Sequence, residues 1–150
     1  MREIDDRDAA ILRELGRDGR LSNLELSDRV GLSASACLRR VAALERDGII
    51  RGTRVIVAPE AMGRAFVAYV EVGLSEHTKA AQATFERHMA AAEEVAECHN
   101  IAGRFEYLLR VEARDMTDYK RFHTDVLGMT DYVASITSLI VMASPKDRRA

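Results

Sequence analysis

Apolar residues in the first fifty positions recur at helical spacing in three groups, each closed by a glycine. Ile11, Leu12 and Leu15 share one side of a first helix that follows Asp5, a suitable N-cap with Asp8 three residues on. That helix ends at Asp18-Gly19. The next segment, Leu21-Ser22-Asn23-Leu24-Glu25-Leu26, carries a helix start signal. Ser22 and Glu25 have capping-box spacing, and Leu21 and Leu26 occupy the two positions of a hydrophobic staple. This second helix runs to Val30 and stops at Gly31, the residue that most readily takes a left-handed turn. Ser33 caps a third helix that stops before Gly48. About three residues of turn separate the second and third helices, which is the helix-turn-helix arrangement.

After Gly48 the periodicity changes. Ile49 to Val57 is β-branched and basic until Pro59 interrupts it, which predicts a short wing or hinge strand. Strand and helix patterns then alternate. Phe66 to Leu74 reads as a strand, Lys79 to Ala92 as a helix, and Val95 to Ile101 and Tyr107 to Ala113 as strands around Gly103. Met116 to Leu127 reads as a helix and Val133 to Met142 as a last strand. The predicted class is α+β: a winged helix-turn-helix domain over 1–50, a wing and hinge linker over 51–63, and a βαββαβ ferredoxin-like domain over 64–150.

Composition narrows the picture. At 150 residues with 47% hydrophobic and 31% charged, the chain suits one moderate domain or two small ones. The charged start MREIDDRD is unlike a signal peptide, and VASITSLIVMAS is too short to span a bilayer, so a cytoplasmic protein without a membrane partner is expected. Cys37 and Cys98 have neither disulfide-scaffold nor metal-ligand spacing, and the four histidines form no ligand set. No cofactor, metal or catalytic residue is expected.

The net charge is −2, but it is unevenly distributed. Between 29 and 54, six arginines face only Glu45 and Asp47, whereas the chain from 59 onward is acidic on balance. A local basic patch suits a nucleic-acid-binding head on a separate body. On the third helix, Cys37, Val41 and Leu44 form one stripe; Ser35, Arg39, Ala42 and Arg46 lie opposite, and Ala36, Arg40 and Ala43 lie on a flank. Small residues allow close approach to base edges, and arginine bonds guanine or phosphate. Ser33 and the free amides of the first helical turn suit a phosphate. The expected contacts to double-stranded DNA are Ser33, Ser35, Ala36, Arg39, Arg40 and Arg46, with Arg51 and Arg54 from the wing.

At this point the sequence resembles the Lrp/AsnC, or feast/famine, family of bacterial and archaeal transcriptional regulators. In the head the resemblance rests on ILRELGRDGRLSNLELSDRVGLSASACLRRVAALERDGIIRG, and in the body on ECHNIAGRFEYLLRVEARDMTDYKRF, around a Gly-aromatic-acidic-Tyr loop. It implies a sequence-specific DNA-binding regulator whose assembly or DNA affinity responds to a small amino acid, and dimers that join into octamers. Two departures stand out. Arg104 occupies a position where the family often has aspartate, and Ala42 and Ala43 stand where further basic residues are common.

The loop Gly103-Arg104-Phe105-Glu106-Tyr107 is the candidate effector site, with an ordinary hairpin turn as the alternative. Gly103 permits close backbone approach, Glu106 suits an α-ammonium group, and Arg104 or backbone amides suit a carboxylate. Thr137 and Ser138 can add hydroxyls from a neighbouring subunit. Two helices cover only one face of a four-stranded sheet, and residues 133 to 142 are apolar on both alternating sets, Ile136, Ile140 and Met142 against Val133, Leu139 and Val141. A second copy of the chain is the simplest cover for the other face. The alternative function is an enzyme similar to sirohaem decarboxylases on the same scaffold, with His99 or His123 at a tetrapyrrole.

Overall fold

A computed structural model of the protein describes residues 3–146. It divides into two compact units, Met1–Val55 and Ile56–Ala150.

The first unit holds α1 (Asp6–Arg17), α2 (Asn23–Val30) and α3 (Ala34–Arg46). Each begins as its cap signal predicts. Asp5 accepts the Asp8 N–H at 2.8 Å, and Ser33 accepts the Ala36 N–H at 3.3 Å. Ser22 accepts the Glu25 N–H at 3.2 Å while the Glu25 carboxylate takes the Ser22 N–H at 2.9 Å, completing the capping box. Gly31 closes α2 at φ 65°, and a Cβ there would meet Arg7 Nη1 at 3.4 Å. That nitrogen donates to the Val30 carbonyl at 2.7 Å, so α1 satisfies an open carbonyl at the end of α2.

Ile11, Leu26, Val30, Cys37 and Leu44 are buried at the centre of this unit. Full burial of a large aliphatic side chain stabilises by about 1.5–3 kcal/mol, so so small a core leaves the caps a substantial share of stability. Ile49 and Ile50 pack against that core, and the segment from 51 to 58 forms no strand. The predicted wing strand is therefore corrected. Its first two apolar residues close the head, and the rest finds no pairing edge among the described residues.

The second unit has the predicted order: β1 (Phe66–Leu74), α4 (Lys79–Ala91), β2 (Val95–Asn100), β3 (Tyr107–Ala113), α5 (Met116–Arg121) and β4 (Val133–Ile140). A 3₁₀ turn at Pro59–Met62 precedes it, and α5 continues as a π-helical stretch over Phe122–Leu127. The sheet is antiparallel in the order β2-β3-β1-β4. Ala68, Val70, Val72, Tyr107, Leu109 and Val111 point to one face and pack with Phe85, Met89, Tyr119, Phe122 and Leu127.

The last strand departs from simple alternation. Leu74 pairs with Val133 and Gly73 with Ser135, so Ala134 is an extra residue in a bulge. The bulge returns Val133 to the same core as Ile136, whereas unbroken period-2 spacing placed them on opposite sides. The other face of the sheet carries Val67, Tyr69 and Glu71 of β1, Leu108, Arg110 and Glu112 of β3, and Thr137 and Leu139 of β4.

Candidate DNA-reading face and effector loop

On α3 the buried stripe and the exposed side fall as the helical spacing requires. Cys37 and Leu44 are buried, while Ser35, Arg39, Ala42 and Arg46 are exposed and Ala36 is half-buried. Ser33 caps the helix and its hydroxyl lies 3.3 Å from that of Ser35, so both sit at the first turn. Arg46 has a 74% exposed side chain with a loose 3.6 Å contact to Asp47. Arg51 and Arg54 are exposed on the extended segment that follows.

Arg40 behaves differently from its neighbour. Its Nη1 donates to Asp5 Oδ2 at 2.8 Å and to Asp8 Oδ1 at 2.9 Å, and its side chain is only 27% exposed. Arg40, expected among the DNA contacts, is thus held by two carboxylates at the start of α1. One residue escaped the sequence reading: Leu38 is 59% exposed on α3. It lies between the apolar stripe and the arginine side, where spacing alone does not decide its exposure.

In the body, the turn between β2 and β3 is closed by the Ile101 N–H donating to the Glu106 carbonyl at 2.9 Å. The Glu106 N–H donates to the Val72 carbonyl at 3.1 Å, which ties the turn to the end of β1. The Glu106 carboxylate is divided. Oε2 accepts the Leu74 N–H at 2.9 Å, and Oε1 lies 3.0 Å from His77 Nδ1. His77 is 75% exposed and comes from the segment after β1. Gly103 is exposed with nothing within 4 Å of an added Cβ. The Arg104 guanidinium stacks over the Phe105 ring, 4.9 Å from its centroid.

Two residues expected at the effector site have partners on the helix side of the sheet within this chain. Tyr107 is buried beneath the helices, its ring 4.5 Å from that of Phe85 and its hydroxyl donating to Glu86 at 2.7 Å. Burial, with the bond to Glu86, pushes its pKa up to about 12. Even register puts it with Leu109 and Val111 and away from the loop side. Thr137 and Ser138 project to opposite faces. Thr137 stands across from Glu71 on the open face, whereas the Ser138 hydroxyl hydrogen-bonds that of Tyr119 on the helix side. Ser135 of the same strand lies beside Gly73, near Glu106.

The remaining chemistry is quiet. Cys98 is an exposed free thiol, and its partial desolvation, with Glu86 nearby, raises it to about 11. No group of His, Cys, Asp and Glu among the described residues is arranged to hold a metal ion. Nor is any described helix long and apolar enough to cross a membrane.

A capped three-helix head with a basic exposed recognition helix, joined to a βαββαβ body with a polar loop at one sheet end, defines a two-domain DNA-binding regulator. Comparison with known proteins agrees. The winged helix-turn-helix DNA-binding family matches residues 4–51, and the Lrp/AsnC ligand binding domain matches 67–150. The chain belongs to the Lrp/AsnC family of transcriptional regulators.

Among its relatives, a proline dehydrogenase transcriptional activator of Rhizobium radiobacter is 37% identical, across 97% of this chain and 93% of the relative. The leucine-responsive regulatory protein of Salmonella typhimurium is 38% identical, across 97% and 88%. A transcriptional regulator from Neisseria meningitidis, solved as an L-Met complex, superposes with a TM-score of 0.92. It is 34% identical, with 97% of this chain and 94% of that one covered.

Proposed function

We propose that this regulator reads double-stranded DNA with α3 and responds to a small amino acid bound at the loop of Gly103 to Glu106. Ser33, Ser35, Ala36, Arg39 and Arg46 meet the major groove and its phosphates, and Arg51 and Arg54 extend the phosphate contacts. The observation that carries the effector reading is the division of the Glu106 carboxylate. One oxygen is fixed by a backbone amide, and the other faces an exposed imidazole that an incoming ammonium group can replace. Arg104 or loop amides receive the ligand carboxylate. The L-Met complex of the Neisseria relative supports an effector of this class.

Assembly follows from the open sheet face. Tyr69, Leu108 and Leu139 lie there beside Arg110, whose Nη1 pairs with Glu112. Its Nε is buried without a hydrogen-bond partner among the described residues. A second copy laid on this face would bury the apolar residues and offer acceptors for that N–H, giving a homodimer and the octamer that the family resemblance implies. A DNA partner supports a cytoplasmic location.

The deciding experiment is a gel-shift titration on the DNA upstream of its own gene, at two salt concentrations, with and without the twenty amino acids. A salt-sensitive complex whose affinity or mobility changes with the mixture is expected. A complex indifferent to every amino acid would remove the effector site, and no complex at all with folded protein would remove the DNA reading.

A further inference from the structure

The adjacent arginines of α3 divide their work. We infer that Arg40 is a positioning residue that fixes the recognition helix on α1 through Asp5 and Asp8, while Arg39 meets DNA.

The geometry is specific to this pair of helices. Asp5 caps α1 with one oxygen, taking the Asp8 N–H at 2.8 Å, and offers its other oxygen to Arg40 at 2.8 Å. Asp8, one turn along, is fully buried and meets the same Arg40 nitrogen at 2.9 Å. A carboxylate withdrawn from water at this depth requires a compensating charge, so Asp8 holds Arg40 more firmly than a surface pair would. Because Arg40 sits near the middle of α3, the contact fixes both the axial position and the rotation of that helix against α1. Base reading depends on both, since a bidentate contact tolerates little displacement.

Charge placement separates the two arginines further. Asp5, Arg39, Arg40 and Arg46 line one shallow depression of the head. Asp5 is 53% exposed there and would repel a phosphate approaching Arg40, while Arg39 and Arg46 lie toward the exposed side of the helix. Nη1 of Arg40 bridges the two carboxylates, a contact one ammonium group can also make. Lysine should therefore replace it in large part.

The test uses the full-length protein, a duplex selected from a random pool by the wild type, and a scrambled duplex of the same composition. Binding is measured across a salt series at a temperature where circular dichroism shows every variant folded. For Arg40→Met and Asp8→Asn, affinity for the selected duplex should fall about tenfold, on the scale of one lost base-pair discrimination. Binding to the scrambled duplex and the salt slope should stay at wild-type values, and Arg40→Lys should restore most of the loss. Arg39→Met should instead weaken both duplexes and flatten the slope.

Unchanged binding to both duplexes in Arg40→Met, with only the melting temperature lowered, would reduce the clasp to a structural tie and overturn the inference. A flattened slope or a parallel loss on both duplexes would make Arg40 a phosphate contact, and would overturn it equally.

Discussion

Glu106 reaches across from the β2–β3 turn to accept the backbone N–H of Leu74, 32 residues earlier in the chain, at 2.9 Å. The bond fixes one carboxylate oxygen and leaves the other beside His77. Glu106→Gln keeps an acceptor for Leu74 but removes the charge that an ammonium group needs. A hydrogen bond to a charged group contributes about 1.5–3 kcal/mol, so effector affinity should fall at least about tenfold with the fold intact. Calorimetric titration with the responding amino acid checks this, and wild-type affinity in the variant would exclude Glu106 from the site.

Arg39 should act on DNA through charge. Each phosphate contact contributes about 0.9 to the slope of log affinity against log salt, so Arg39→Ala should flatten that slope by about this amount. Arg51→Ala and Arg54→Ala should do the same on any duplex, specific or not. A salt series by fluorescence anisotropy measures all three, and an unchanged slope in any one removes that residue from the interface.

At Gly73 an added Cβ would collide with the Ser135 hydroxyl across the β1–β4 pair, a contact that rotation of the serine side chain relieves. Gly73→Ala should destabilise the body by about 1 kcal/mol, the low end of the overpacking range, because only the serine rotamer has to change. Ser135→Ala in the same chain removes the colliding oxygen and should recover part of the loss. Urea unfolding of the single and double variants reads the coupling, and purely additive effects would show that the collision is not the cause.

Asp118 gives the body an acid-sensitive element. Hydrogen bonds from the Arg114 side chain and backbone, with Arg121 nearby, hold its carboxyl at about 2 against an ordinary 3.8. A carboxyl lowered by folding stabilises fully above its unfolded value, and that contribution is lost as pH falls through 3.8 toward 2. Asp118→Asn should therefore lower the melting temperature at about pH 6, with the gap to wild type closing by about pH 2. A gap that stays constant across that range would assign the effect to packing.

Much of this molecule is legible in its sequence. The caps at Asp5, Ser22 and Ser33, the left-handed stop at Gly31, and the order of six elements in the body all follow from local spacing and turn chemistry, which act over a few residues. So does the opposition of Cys37, Val41 and Leu44 to Arg39 and Arg46 on α3.

Other features needed the tertiary structure, because they depend on residues far apart in the chain. Helical spacing sets Arg39 opposite the apolar stripe and Arg40 on its flank, but only the packing of α1 across α3 brings Asp5 and Asp8 to Arg40. The bulge at Ala134 reverses the face of Val133 relative to the period-2 pattern. Tyr107 joins the core because strand register assigns it to the helix side, and His77 joins Glu106 because the end of β1 lies beside the β2–β3 turn. Sequence determined which elements form and which side of each is apolar, since those are properties of nearest neighbours. Which polar side chains meet was decided by how the elements pack, where one residue of register or one turn of helix changes the partner.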